Sequence, residues 1–412
     1  MNRKSLILLL LIISVCEFGK AQSKHLFEVG VRDSMYSSTL GEQRVIWVQL
    51  PEDYKPTSKQ KYPVIYVLDG GVHLKAVSTV HSYYWGGFMP EMIIVGISNS
   101  KNRTRDLTTS EIKTRRGTAY NEETGGAERF ATFIENELIP FVEKKYPATD
   151  YRTLIGHSYA GLFAIDLMIN HPGLFNNYIA IDPSLDWDSQ KLLLQSEKVL
   201  SVNNFKGTSL FMSLSGQLHM QRSDITLENV MQDTSEYTLF ARSNIRFSEA
   251  INKNKQNELN YQWKFYKQDL HGTLPLPSIL DGLIYLFNWY PIEHTDRFNS
   301  PETPKEELVQ IIRNREKKLK DHFGYFVPPF DEELLTMLGY MNLEWGESEK
   351  SLAFFLLTTE YYPLSANAYD SLADYYLAQG DTENALACVT KAFEISGEEY
   401  HKNRMESLLE KN

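Results

Sequence analysis

The sequence predicts an α/β protein with a mostly parallel central sheet and helices on both faces, followed by a small all-α helical-repeat domain. Three observations lead to this prediction. Between about residues 40 and 290, short β-branched runs alternate with helical patterns, which is typical of a sheet covered by helices. A serine flanked by small residues, Ser158, stands between one such strand and the next helix. After Tyr290 the pattern is helical only, and similar residues recur 34 positions apart.

The first 21 residues have the pattern of an export signal. Arg3 and Lys4 give a positive start, residues 6–15 form an apolar run, and Gly19 and Ala21 are the small residues that precede a cleavage site. The run is shorter than the roughly 20 residues of a spanning helix. We therefore expect cleavage after Ala21, no membrane span in the mature form, and a periplasmic or secreted protein.

The chain has two cysteines, Cys16 and Cys388. Cys16 leaves a lipid-anchored form open as an alternative, although Val15 before it is bulkier than lipoprotein processing usually accepts. Cleavage after Ala21 would remove Cys16, so no intrachain disulfide is expected in the mature protein. Cys388 lies in a helical pattern and is interpreted as a small buried apolar residue.

Composition narrows the classes of partner. The 412 residues carry a formal net charge of −11, and the Lys and Arg residues form no sustained block. Phosphate binding needs a concentrated cationic face, so nucleic acid is not an expected partner. Small molecules, carbohydrates and peptides remain.

The predicted strands are short and are separated by turn residues or helical patterns. Two helical stretches stand out, Glu128 to Lys145 and Gly161 to Asn170, and the second ends at His171-Pro172-Gly173. The strand candidates are Arg44 to Leu50, Val64 to Leu68, Met92 to Ser98, Thr153 to Gly156, Tyr178 to Ile181, Ser209 to Ser215 and Tyr261 to Tyr266. The motifs described below follow strand ends, where open α/β sheets form their binding sites.

The chain changes character after residue 290. Residues 291–304 contain three prolines and read as a linker between a domain at 22–290 and a helical domain at 305–412. In the helical part an internal repeat with an offset of 34 residues is typical of tetratricopeptide-like hairpins, and it pairs Gly339 with Ala373, Gly346 with Gly380, Leu352 with Leu386 and Ala353 with Ala387. Two repeats are fewer than the roughly three that bury a continuous core, so we expect them to dock on the first domain or on another chain.

Gly156-His157-Ser158-Tyr159-Ala160-Gly161 follows an apolar strand and opens a helix. This is the context of a nucleophile elbow, a tight strand-to-helix turn that exposes a serine hydroxyl above the sheet. Small residues are needed on both sides; Gly156 meets this need, and Ala160 stands where glycine is usual. The alternative interpretation is a serine at the start of an ordinary helix. The motif predicts Ser158 as a nucleophile.

A serine hydroxyl needs a base that accepts its proton. Among the ten histidines, His271 lies between the last strand candidate and a helical pattern, where the histidine of a Ser, acid, His chain order is found. A structural loop histidine is the alternative. His157 lies inside the elbow and is expected to pack locally or to flank the site, whereas His73, His81 and His219 have no comparable placement.

The acid is the least determined member of the predicted triad. The chain order places it after the strand Ser209 to Ser215, where Gln217 comes first and cannot carry charge. Asp224 is the first carboxylate beyond that strand, and Asp233 is the alternate. Asp224 is preferred because fewer residues separate it from the strand, so its carboxylate can return to the strand end more easily. A Ser-His dyad remains open.

Acyl transfer also needs N–H donors that face the oxygen on which negative charge develops. The elbow supplies the backbone N–H of Tyr159. A second donor is expected from Gly70 or Gly71, which directly follow the apolar run Val64 to Leu68. A plain glycine turn is the alternative.

These residues together resemble the esterase family of α/β-hydrolases that includes ferric-enterobactin-type siderophore esterases, feruloyl and acetyl-xylan esterases, S-formylglutathione hydrolase and mycolyltransferases. The resemblance implies serine ester hydrolysis without a cofactor or metal, with Ser158 and His271 in the catalytic positions. The added helical repeats resemble an arrangement found in Bacteroidetes. The matching stretches, in order, are Leu50 to Tyr54, Tyr66 to Gly70, Gly126-Ala127 with Phe133 to Pro140, Gly156 to Phe163, and His271 to Leu276.

The sequence therefore predicts an exported serine hydrolase of small-molecule or carbohydrate esters that acts through an acyl-serine intermediate. Two alternatives stay open. One is a catalytically inactive hydrolase fold that serves as a scaffold, with a protein partner bound through the C-terminal helices. The other is acyl transfer to a sugar or another alcohol. Several aromatic residues and Arg103, Arg105 and Arg116 are candidates for substrate contact, although each is also an ordinary surface or core residue type.

Overall fold

The computed structural model describes residues 29–52, 54–56, 60–115, 117–219 and 221–410. The export signal expected at residues 1–21 and Arg116 lie outside these ranges. Within them, no helix combines the length and the apolar character that crossing a lipid bilayer requires.

An eight-stranded sheet forms the centre of the first domain. Its strands are β1 (Val31–Ser37), β2 (Glu42–Gln49), β3 (Tyr62–Val67), β4 (Ile93–Ile97), β7 (Ala148–His157), β8 (Asn177–Ile181), β9 (Ser209–Ser215) and β10 (Asn260–Tyr266); β5 (Thr114–Arg115) and β6 (Thr118–Ala119) form a separate hairpin. The strand order in the sheet is β1-β2-β4-β3-β7-β8-β9-β10. Strands β1 and β2, and β2 and β4, pair antiparallel, and the other neighbours pair parallel. Each predicted strand corresponds to a strand of this sheet, whereas the edge strand β1, largely exposed, was not predicted.

Helices cover both faces of the sheet, as expected for the predicted fold class. The helices of this domain are α1 (Gly70–Tyr84), α2 (Arg103–Leu107), α3 (Ala127–Phe133), α4 (Ile139–Lys145), α5 (Tyr159–Asn170), α6 (Trp187–Val202), α7 (Leu239–Lys253) and α8 (Pro275–Leu286). One π-helical turn, Ile134–Leu138, joins α3 to α4.

Successive strand side chains point to opposite faces, and the core divides accordingly. Val64 and Tyr66 of β3 join the cluster that contains Phe163 of α5. Ile65 and Val67 join the cluster that contains Leu74 of α1 and Leu283 of α8, so that α1 and α8 lie on one face and α3 to α7 on the other. Because β3 is buried along its whole length, its sequence is a continuous apolar run rather than an alternation.

The C-terminal part is helical, as predicted. It comprises α9 (Thr295–Phe298), α10 (Lys305–Phe323), α11 (Glu332–Glu344), α12 (Ser348–Tyr361), α13 (Ala366–Ala378), α14 (Thr382–Ser396) and α15 (Glu399–Leu409). Helices α11 and α12 recur as α13 and α14 at the predicted offset of 34. A Cβ atom on Gly339 would lie 2.7 Å from the Phe355 ring, which explains the small residue there.

Helix α10 belongs to both cores. Its N-terminal half buries Leu308 and Ile312 against the repeats, and its C-terminal half buries Leu319 and Phe323 in a sheet-face cluster of the first domain. Between them, Arg315 donates to the carbonyls of Tyr290 and Pro329 at 2.7 and 2.6 Å. The helical part is thus docked on the first domain.

Candidate active site

Ser158 stands at the turn between β7 and α5 with φ 62° and ψ −116°. A Cβ atom on Gly156 would lie 2.2 Å from the Ala160 carbonyl oxygen, and one on Gly161 would lie 3.1 Å from the Ile181 carbonyl oxygen. These approaches are the physical reason for small residues around the serine. Ser158 N–H donates to the Ile181 carbonyl at 2.9 Å, which ties the elbow to the end of β8.

His271 lies beyond the end of β10, and its ring is fixed by a buried carboxylate. Nδ1 of His271 lies 2.7 Å from Oδ2 of Asp182, while Oδ1 of Asp182 accepts the Ser215 N–H at 3.0 Å. The Asp182 side chain is fully buried and the residue has φ 45°. A buried carboxylate with both oxygens engaged fixes the tautomer of an imidazole and stabilises its protonated form.

The expected acid residues lie elsewhere, and this prediction was wrong in its geometry. Asp224 is exposed and pairs with Arg222, whose Nε donates to it at 3.0 Å. Asp233 accepts from Ser235 N–H at 2.8 Å and from the Thr238 hydroxyl at 3.0 Å. The carboxylate that reaches the His271 ring follows β8 rather than β9. The Ser, acid, His chain order holds, and the prediction chose the strand one too late.

Ser158 and His271 are both accessible to solvent. Ser158 is half-buried, and 37% of the His271 side chain is exposed. Within the described chain, the Ser158 hydroxyl contacts Ser184, with the two Oγ atoms 3.4 Å apart, and forms no hydrogen bond with the His271 ring. Catalytic hydrogen bonds often tighten only when substrate binds, so this geometry is compatible with a Ser158–His271 pair.

The predicted donors to an oxyanion lie at two helix starts. Tyr159 is the first residue of α5 and Gly70 the first of α1, and first-turn N–H groups have no partner within their helix. A Cβ atom on Gly70 would lie 2.6 Å from the Gly96 backbone, whereas one on Gly71 would lie 3.5 Å from the Trp47 ring. Gly70 is thus pressed against β4, and this contact sets the position of the loop.

Arg103 connects the two helix starts. Its Nε donates to the buried Asp69 carboxylate at 3.0 and 2.9 Å, and Nη2 donates to the His157 carbonyl at 3.2 Å. Asp69 has φ 51°, and its N–H donates to the Asn99 side chain. One guanidinium therefore holds the loop before Gly70 against the residue before Ser158.

Three histidine rings lie close together beside the site. The His157 ring lies 4.5 Å from that of His271 and 5.7 Å from that of His73. Burial, together with the neighbouring His271, lowers the pKa of His157 to about 3. His157 thus stays neutral and does not repel the cation that forms on His271. Phe240 also contacts the His271 ring, in a T-shaped arrangement at 5.5 Å.

An aromatic wall with two guanidinium groups borders the elbow. The Tyr159 and Trp187 rings are 5.2 Å apart, and Tyr120 lies 5.9 Å from Trp187. Arg115 lies 5.2 Å from the Tyr159 ring and pairs with Asp186 at 3.5 Å. Arg103 lies over the same tyrosine at 5.4 Å. Trp187 is buried, while both arginine side chains retain exposed surface.

Sequence reasoning missed Asp182 although a signal was present. Asp182-Pro183-Ser184 directly follows the buried strand Tyr178–Ile181, and a carboxylate at the end of a buried parallel strand is a site candidate. The sequence indicates Arg103 only as a possible substrate contact. Its partner Asp69 stands directly before Gly70, but sequence spacing gives no indication of a pair 34 residues apart.

A search against protein families matches residues 37–234, just under half of the chain, to the Esterase family, described as "Putative esterase". Among curated proteins, a siderophore enterobactin esterase from Emericella nidulans is 30% identical over 187 residues, which cover 42% of this chain and 60% of that protein. A ferri-bacillibactin esterase from Bacillus subtilis is 27% identical over 231 residues, covering 51% and 78%. The resemblance to this esterase family is therefore confirmed.

Solved structures show the same fold. An IroE-like serine hydrolase from Shewanella oneidensis matches with a TM-score of 0.65 and 27% identity, covering 80% of this chain and 99% of that chain. An uncharacterised protein from Capnocytophaga ochracea matches with a TM-score of 0.57 and 21% identity, covering 92% of this chain and 99% of that chain. At this identity the match supports the fold alone. The predicted α/β-hydrolase fold is confirmed.

Proposed function

We propose that this chain is a serine hydrolase of carboxylic esters in which Ser158 is the nucleophile, His271 the general base and Asp182 the acid. The observation that carries the proposal is the contact of 2.7 Å between His271 and the fully buried Asp182. It supports a base with a fixed tautomer at the strand edge where Ser158 is presented. The family match and the siderophore esterases among the relatives support the same reaction class.

In the proposed reaction, Ser158 Oγ attacks the ester carbonyl carbon while Nε2 of His271 accepts the hydroxyl proton. The N–H of Tyr159 and that of Gly70 or Gly71 donate to the carbonyl oxygen as negative charge develops on it. His271 then returns the proton to the leaving alkoxide, which departs as the alcohol. In the second half of the reaction His271 accepts a proton from water as the water oxygen attacks the acyl carbon, and it returns that proton to Ser158 Oγ as the bond to the acyl group breaks. Asp182 keeps Nδ1 protonated throughout, so that Nε2 is the accepting atom.

We also propose a siderophore ester as the substrate class, because relatives of this chain are siderophore esterases. The partly exposed Tyr120 and Tyr159 rings supply aromatic surface beside the elbow. Arg103 and Arg115 supply partly exposed positive charge there, although each also pairs with a carboxylate. The formal net charge of −11 does not oppose this. Residues 331–412 contain 16 Asp and Glu against five Lys and Arg, so residues 1–330 carry balanced charge.

Export remains part of the proposal, because the expected signal at residues 1–21 lies outside the described residues. N-terminal sequencing of protein recovered from the producing cell tests it, and a mature chain that begins at Gln22 is the expected result. A chain that retains its first 21 residues would contradict the proposed periplasmic or secreted location. The tetratricopeptide-like assignment and a protein partner of the C-terminal helices also remain proposals.

Two assays test the reaction on the full mature chain. A fluorophosphonate probe should label Ser158, and p-nitrophenyl acetate should be hydrolysed. Ser158→Ala should abolish labelling and lower kcat by several orders of magnitude, because the triad acts as a unit and the loss of one member removes most of its contribution to catalysis. Ser184→Ala, which removes the neighbouring hydroxyl, is the matched control and should still be labelled. Absence of labelling and turnover would support the scaffold alternative, and product analysis with added sugar acceptors separates hydrolysis from acyl transfer.

A further inference from the structure

The end of β9 and the two residues after it contact two members of the proposed triad, Asp182 and His271. Ser215 N–H donates to Asp182 at 3.0 Å, and Gly216 N–H donates to the Asp269 carbonyl at 2.8 Å. Oε1 of Gln217 accepts the backbone N–H of His271 at 3.3 Å. Three consecutive residues therefore connect the acid, the loop before the histidine and the histidine itself.

The chain after β9 and the chain after β10 run side by side beyond the sheet. A Cβ atom on Gly216 would lie 2.1 Å from the Lys267 carbonyl oxygen, so the two segments are in direct backbone contact. Leu270 of the histidine loop is 58% exposed, and the Thr273 side chain bonds locally to Asp269 and Leu270. The bond to Gln217 holds the backbone N–H of His271 from a distant part of the chain, and the His157 ring contacts the His271 main chain as well.

We propose that Gln217 is a positioning residue that fixes the backbone of His271 and so aims its ring at Ser158. This inference rests on the proposed function. Asp182 holds the ring at Nδ1 and Gln217 holds the main chain, and a ring held at both points keeps Nε2 directed at the nucleophile. Because the acid comes from β8, the position after β9 is free to carry a neutral amide.

Gln217 carries no charge, and this limits the negative charge close to His271. The titratable groups placed against the His271 ring are Asp182 from the end of β8 and His157 from the end of β7, while Asp269 lies on its own loop. A carboxylate at position 217 would add a second anion beside Asp182. An added anion favours the protonated imidazole, so the base would be lost to protonation at a higher pH.

Two variants of Gln217 test the inference through kcat, KM and the pH profile. Gln217→Leu removes the acceptor and should lower kcat about tenfold with KM changed less than about twofold, as expected for the loss of one part-buried hydrogen bond. Gln217→Glu keeps an acceptor and should retain kcat at alkaline pH. The acid limb of its kcat/KM profile should move up by about half a pH unit or more.

Gln221 provides the matched control, because it is an exposed glutamine on the same segment. Gln221→Leu should leave kcat unchanged, and Gln221→Glu should leave the acid limb in place. An active wild type whose Gln217 variants match the Gln221 variants would overturn the inference. An inactive, unlabelled wild type would instead overturn the proposed function.

Hydrogen–deuterium exchange gives a readout that does not depend on activity. The His271 amide should exchange at least several-fold faster in Gln217→Leu than in the wild type or in Gln221→Leu, with equal melting temperatures showing that the fold is intact. Equal exchange in all three proteins would show that Gln217 does not hold this backbone, whatever the activity of the wild type.

Discussion

The two ends of the central sheet differ in how their residues are held. At the carboxyl end, Asp69, Ser158 and Asp182 have positive φ angles, which non-glycine residues rarely adopt. At the opposite end, aromatic contacts dock the helical part. His322 stacks on Trp289 at 3.8 Å, and Phe323 packs against Tyr151 at 5.0 Å. Strained backbone persists only where the surrounding structure holds it in place, and it clusters at functional sites. The carboxyl end of the sheet is therefore where we propose the active site, and the opposite end is where the helical part docks.

If the comparison is correct, substitutions at the carboxyl end should reduce activity with modest loss of stability. Substitutions at the docking end should reduce stability and leave the activity of the folded protein unchanged. The variants below test this division.

Asp182→Asn should have the largest effect among these variants. Asparagine tolerates a left-handed backbone, so the fold should persist, while loss of the carboxylate charge and of the fixed tautomer should lower kcat by about 10² to 10⁴-fold. Steady-state kinetics on an ester substrate measures this. Asp224→Asn and Asp233→Asn are the matched controls and should stay within about twofold of wild type. A large loss in either control, with Asp182→Asn active, would return the acid to the segment after β9.

Gly70→Ala should have the next largest effect. The added Cβ atom would lie 2.6 Å from the Gly96 backbone, so the start of α1 must move away from β4 and its N–H donors move with it. Loss of one such donor typically costs about 10² to 10³-fold in kcat. Gly71→Ala meets the Trp47 ring at an ordinary 3.5 Å and should remain active. Equal activity of the two variants would remove Gly70 from the proposed site.

Phe323→Ala tests the docking end. Removing a buried phenylalanine typically costs about 3–5 kcal/mol, and Phe323 packs in a core cluster of the first domain. The unfolding free energy measured in urea should fall by this amount, whereas kcat of the folded protein should not change. Phe355→Ala, buried within the repeats, should destabilise only the C-terminal helices. A fall in kcat for Phe323→Ala without loss of stability would show that the two ends are coupled.

Asp166 lies in α5, away from both ends, and gives the smallest expected effect. Burial raises its pKa to about 6, above the unfolded value, so its ionisation in the folded state costs stability as pH rises from about 4 to 6. Asp166→Asn should therefore raise the unfolding free energy at about pH 7.5, by about 1–3 kcal/mol, and leave it unchanged below about pH 4. Thermal melts at the two pH values measure this. A gain at low pH would contradict the assigned cause.

Ser158, His271 and the loop of Gly70 and Gly71 could be proposed from the sequence because their requirements are local. A strand, a sharp turn with small neighbours and a helix start are each encoded within a few residues. The strand candidates were recognisable for the same reason, since buried parallel strands are continuous apolar runs. The exposed edge strand β1 lacks that signal.

The partners of these residues were decided by the tertiary structure. Asp182 reaches His271 across 89 positions of the chain, and Gln217 reaches it across 54. Such pairs form because parallel strands bring their carboxyl ends to one edge of a sheet, and no sequence spacing encodes which of two neighbouring strand ends supplies the carboxylate. The sequence by itself determined the hydrolase fold, the expected nucleophile and the base, whereas the identity of the acid and the shared packing of α10 depended on which buried groups meet in space.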